Sequence, residues 1–133
     1  MSTLSHLNGV FRFQKLEVWQ DARRLNLDVY RLVQRFPAAE QFALTSQARR
    51  ASVSIAANIA EGSGRNSDKD FAHFLELSYG SAMELASHFV LAGDLGYVEA
   101  TQLESALEQI NRLSIRIAAL NRSLNVKTSQ VNL

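Results

Sequence analysis

Apolar residues recur at steps of three and four along nearly the whole chain, and no run of alternating β-branched residues argues for a strand. The pattern predicts an all-α protein. Val18, Ala22, Leu25, Val29, Leu32 and Phe36 form one stripe, which predicts a first helix from about Glu17 to Phe36 that Pro37 ends. A second helix, about residues 45–62, runs into Glu61-Gly62-Ser63-Gly64, where Gly62 or Gly64 can take a left-handed C-terminal position. A third, about 67–93, opens on Ser67 with Asp70 three residues on as a capping-box variant. It continues through Phe71, Phe74, Leu75, Ala82, Leu85 and Phe89 until Gly93 or Gly96 stops it. The fourth, about 101–124, begins at a Thr101 to Glu104 capping box. It carries Leu103, Ala106, Ile110, Leu113, Ile117, Leu120 and Leu124 in a three-four alternation, the seam of a bundle.

Connections of roughly five to ten residues favour antiparallel neighbours. The expected architecture is therefore an antiparallel up-down-up-down four-helix bundle, a single domain over residues 1–133 with no internal repeat. Residues 1–12 and 126–133 have weak periodicity and are expected to be partly mobile.

The second helix departs from the usual pattern. Between Ala48 and Ala60 its largest apolar residues are Val53, Ile55 and Ile59, as though something approaches its backbone closely. Leu44, Ala48, Ala51, Ile55 and Ile59 face one way, while Val53, Ala56, Ala57 and Ala60 occupy much of the other side. A helix apolar nearly all round is usually buried, which makes the second set a candidate subunit interface. Gln47, Ser54, Asn58 and Glu61 form a polar seam along one border of the core stripe. Covered polar groups need partners. They are read either as bonded to neighbouring helices and caps or as binding a ligand.

Composition narrows the function classes. A chain of 133 residues, 47% hydrophobic with one proline, is an ordinary folded domain. It has no cysteine, which excludes disulfides and thiolate metal sites. The first residues lack a basic and then apolar leader, and no charge-free run approaches the ~18 residues of a membrane span. The expectation is a cytoplasmic protein with no membrane association.

The net charge of +1 conceals three blocks: residues 12–50 at +4, 61–108 at −7 and 109–133 at +4. Eleven of the fourteen basic residues are arginine, which pairs with carboxylate or phosphate in a bidentate fork. That composition permits a polyanion partner or internal pairing equally. Arg24, Arg31 and Arg35 share one side of the first helix, but Asp28 lies within a turn of two of them and neutralises part of the stripe. Arg112 and Arg116 have only Glu108 within a turn, and Arg49, Arg50 and Arg65 flank the ends of the second helix. These five are the candidate phosphate contacts.

Catalytic constellations are missing. There is no P-loop and no G-x-S-x-G elbow, and "EGSGRNS" follows a helix, so its glycines read as a helix stop. A di-iron bundle needs carboxylates and histidines on several helices, whereas the near pairs here, His73 with Glu76 and Glu84 with His88, share one helix. The chain is expected to be no enzyme and to need no cofactor.

The stretches "FQKLEVWQDARRL", "VYRLVQRFP", "LTSQARRASVSIAANIAEGSGR", "FAHFLELSYGSAMEL" and "AGDLGYVE" resemble the four-helix-bundle proteins encoded in 23S rRNA intervening sequences, a bacterial family once misnamed as ribosomal proteins. The resemblance covers about residues 13–99. It implies an up-down bundle assembled as a ring-shaped homopentamer, with no enzymatic activity. The family pattern carries over to Gln47, Arg49, Arg50, Ala51, Ser54, Ile55, Asn58, Ile59, Ala60, Glu61 and Gly62. More distantly, the chain is similar to the accessory variability determinant protein of diversity-generating retroelements, a pentamer that binds nucleic acid and a reverse transcriptase. Those accessory proteins are strongly basic, and this chain is nearly neutral. Two functional expectations therefore stand: an accessory factor that binds RNA or DNA, or a protein-protein assembly scaffold that does not.

Overall fold

The structure, a computed structural model, describes residues 7–131, with side chains through residue 125. Its four α-helices are α1 (Glu17–Val33), α2 (Leu44–Ser63), α3 (Asp68–Asp94) and α4 (Ala100–Val131), with short 3-10 helices at Arg12–Lys15 and Ala38–Glu40. There is no strand among the described residues. Residues 1–6, 132 and 133, part of the segments expected to be mobile, lie outside the described residues.

Cross-helix contacts set the topology. Asn26 of α1 accepts a hydrogen bond from Ser52 and Tyr30 lies under Arg49, so α2 descends as α1 rises. Ser78 donates to the Ile55 carbonyl while Phe71 meets Gly62, which runs α3 antiparallel to α2. Asn121 bonds the Ala72 carbonyl and Leu103 meets Gly93, which does the same for α4 against α3. The bundle is up-down-up-down, and its core is the predicted set of stripes. Leu25, Val29, Ile55, Ile59, Leu75, Leu85, Phe89, Ile110 and Ile117 are all fully buried.

Helix ends differ from the sequence expectation for local reasons. The α1 helix stops at Val33, short of Phe36: the chain tightens into turns in which the Arg35 and Phe36 amides bond the Leu32 and Val33 carbonyls, and Pro37 disfavours helical geometry at Phe36. Pro37 instead precedes the short 3-10 turn. Neither Gly62 nor Gly64 is left-handed: Gly62 lies inside α2, and Gly64 caps it at φ −89°. The left-handed stop belongs to Gly96, at φ 77°, just after α3. Ser67 caps α3 as predicted, accepting from the Asp70 amide at 3.1 Å. Thr101 falls inside α4, and the first turn is closed by the Leu103 amide on the Glu99 carbonyl. No glycine or proline follows to stop α4, which runs on to Val131.

Two clasps hold the ends. Arg12 donates to the Ser63 carbonyl at 3.0 Å and covers the Phe71 ring, tying the N-terminal segment to the end of α2. At the other end Phe36 packs on Phe89 and Tyr97, and the Tyr97 hydroxyl donates to Glu40 at 2.9 Å. That hydrogen bond, with desolvation and the Glu40 charge behind it, raises the Tyr97 pKa above the ordinary tyrosine value. The clasp is fully present below the ordinary tyrosine pKa and is lost as pH climbs through the raised one.

The small residues of α2 answer to α3. A Cβ on Gly62 would lie 2.7 Å from the Phe74 Cβ and 2.9 Å from the Phe71 ring, so glycine lets two aromatic residues press on the backbone. Gly62→Ala is expected to destabilise the fold by about 1–3 kcal/mol through overpacking, despite alanine's better helix propensity. Ile117→Ala is expected to cost about 2–5 kcal/mol as a buried truncation. Urea unfolding followed by circular dichroism measures both, and a stabilised Gly62→Ala would contradict the close α2/α3 approach.

Candidate nucleic-acid interface

The structure divides the five arginines singled out in the sequence. Arg49 and Arg50 stand on the α1/α2 side, where the Arg49 guanidinium lies 5.4 Å from the centre of the Tyr30 ring. Arg65, at the far end of α2, pairs with Glu61 at 3.4 Å and stacks over Phe74. Arg112 and Arg116 face α1 across the α1/α4 side. There they meet arginines from the stripe discounted for its nearness to Asp28.

That side is an arginine-lined groove. The α1 and α4 helices pack more sparsely than the other neighbouring pairs, and two depressions of about 460 and 310 Å³ lie along their junction. Both are bordered by Asp28 and Gln109, which makes them one continuous feature. Arg31 and Arg35 line the first, and Arg24, Arg112 and Arg116 the second. Two carboxylates face these five guanidinium groups. Asp21 accepts from Arg24 on one oxygen and from Arg116 on the other, while Asp28 lies 3.7 Å from Arg31. Among the described residues, Arg35 and Arg112 have no acidic partner within ion-pair distance. Thr101, Gln102, Ser105 and Gln109 add uncharged hydrogen-bonding groups, and Leu25, Val29, Leu32, Ala106 and Leu113 form an apolar part of the lining.

Three of the five cations were visible as a helical stripe at 24, 31 and 35, but sequence spacing does not say which helix stands opposite. The Arg116 to Asp21 pair spans 95 positions and has no local signature.

The polar seam of α2 is bonded internally over part of its length. Ser54 and Ser81 share a 2.8 Å hydrogen bond, and Asn58 donates to the Ser54 carbonyl and hydroxyl at 2.9 and 3.0 Å. Glu61 takes Arg65, and Gln47 is exposed. Of the candidate interface residues, Ala56 and Ala60 are half-buried, but Ala57 is exposed and Val53 is 45% exposed. The outer side of α2 is thus left uncovered by the described residues.

The histidines do other work. His88 bonds Glu84 at 3.1 Å, and His73 packs edge-on against Phe74. Among the described residues, no group of three His, Asp or Glu side chains is placed to hold a metal ion, and no helix is long and apolar enough to cross a membrane.

The family model described as 23S rRNA-intervening sequence protein matches residues 14–119. Among solved structures, the chain is similar to a protein from Bacteroides thetaiotaomicron VPI-5482, described as of unknown function and from the S23 ribosomal protein family. The two share 24% sequence identity with a TM-score of 0.72, over 78% of this chain and 97% of that one, a likeness of fold alone. No curated protein matches.

Asp21→Asn tests the electrostatics of the groove. It removes the one carboxylate shared by two exposed arginines, so stability is expected to change by less than about 2 kcal/mol. Phosphocellulose should hold the variant to higher salt than the parent. Unchanged elution would show that the groove does not meet phosphate.

Proposed function

We propose that this chain, which belongs to the 23S rRNA-intervening sequence protein family, is a non-enzymatic, homo-oligomeric bundle protein that holds nucleic acid in the α1/α4 groove. One observation carries this reading: five arginines converge there on two carboxylates, leaving Arg35 and Arg112 without an ion pair among the described residues. A near-neutral total charge is no obstacle when the excess is gathered on one side. Each guanidinium that neutralises a phosphate releases a condensed counterion, so the interaction is driven by mixing entropy and weakens with salt. The neutral hydroxyl and amide lining offers donors to phosphate and sugar oxygens without adding opposing charge. Such contacts hold a backbone and do not read bases.

Assembly multiplies the effect. The uncovered apolar side of α2 supports self-association, and the family resemblance implies a homopentamer. A ring presents the groove once per subunit, and tethered sites act at high effective concentration. The exposure of Val53 and Ala57 also favours the second reading, a scaffold that binds protein and no nucleic acid.

Light scattering is expected to give about five subunit masses, the number that the family resemblance implies for a closed ring; a clean monomer ends the ring. Fluorescence anisotropy with a structured RNA and a duplex DNA should show affinity falling linearly in log salt. Arg35→Gln with Arg112→Gln is expected to lower that slope by about two, with the mass unchanged. Absence of binding to both probes at low salt would leave the scaffold.

A further inference from the structure

Gly80 lies midway along α3, and a Cβ added to it would meet nothing within 4 Å. Its backbone is outside the left-handed region, so neither conformation nor packing within the chain calls for glycine there. Glycine inside a helix is destabilising relative to alanine. Around Gly80, the outer side of α3 exposes Leu77, Met83, Val90 and Leu91, each by more than 40%. Glu76, Glu84 and Asp94 are interspersed among them; Glu84 bonds His88, and the other two carboxylates have no ion-pair partner among the described residues. It is an apolar face with acidic edges.

A face of opposite charge lies across α1 and α2. A shallow depression of about 400 Å³ there is lined by Tyr30, Arg49, Arg50, Val53, Ser54 and Ala57, with no acidic side chain. Among the described residues, the buried Arg49 Nε has no hydrogen-bond partner and Arg50 makes no ion pair. Leu27, on the neighbouring outer side of α1, is 53% exposed.

We infer that these two faces meet between copies of this chain: the α1/α2 face of one receives the outer side of α3 of the next, with Gly80 crossing near Ala57. Small residues at the crossing let two helix axes approach closely, while the larger apolar side chains around Gly80 fill the space beside Ala57. The arginines then face the carboxylates of α3, which sets the orientation and disfavours like-to-like pairing. Because the faces are different patches of one subunit, the contact is head-to-tail and propagates until it closes. The inference rests on the oligomeric reading above and adds the surfaces that build it.

The chain lacks cysteine, so single introduced thiols report unambiguously. Differently tagged Ala57→Cys and Gly80→Cys chains are co-expressed and treated with a short bismaleimide. The expected product is a cross-linked pair containing one of each tag, with neither variant linking to itself. Self-linking of Gly80→Cys would show two α3 faces meeting about a two-fold axis and would overturn the assignment. An oligomer that yields no mixed product overturns the assignment and leaves the ring standing, whereas a monomeric parent removes both. Independently, Gly80→Leu has open space within its own chain and should keep its helical circular dichroism while losing oligomer mass. Retention of full mass by that folded variant would equally overturn the contact.

Discussion

The tight approach of α3 to α2 at Gly62 organises the rest. Phe71 and Phe74 press on a backbone that has no side chain at that point, and the buried Ser78 hydroxyl is satisfied by the Ile55 carbonyl a few turns away. This tight pairing explains why α2 carries alanine and serine where an ordinary bundle helix carries leucine. Bulk is supplied by the partners. The same economy of side chains leaves the outer side of α2 small and apolar, because the α1 and α3 helices flank it without covering it.

The opposite pair of helices is loose. Long polar side chains border the junction of α1 and α4 outside its apolar residues, and the junction remains a groove where α2 and α3 pack closely. Packing is therefore asymmetric, and so is charge. Chain folding places Arg24, Arg31 and Arg35, along and just past α1, beside Arg112 and Arg116 of α4, while the acids of α3 fall on the outside. A net charge of +1 is the sum of separated surfaces, not a uniform neutrality. The two surfaces proposed to act also lie on different sides of α1, so a ring closed through α1/α2 leaves the α1/α4 groove open to solvent.

Much of this was determined by the sequence alone. Three-four periodicity with Ser67 and Gly96 as punctuation specifies four helices and the faces they bury, since a helix that must hide one stripe repeats it every turn. Ile55, Ile59, Ile110 and Ile117 are core residues on that pattern and in the structure. The unusual α2 is equally legible as a helix approached closely, although Gly62 reads locally as a stop, since a Gly-Ser-Gly run after a helix has that meaning, and lies inside the helix in the structure.

Tertiary structure alone decided which arginines stand together. Charge pairing along one helix follows from spacing, so Asp28 beside Arg31 could be read directly. The pair of Asp21 with Arg116 could not, nor could the convergence of Arg35 and Arg112 on one groove. Those depend on the rotation of each helix about its axis and on which junction packs loosely. Both are set by the summed fit of all core side chains, a property no single stretch of sequence contains.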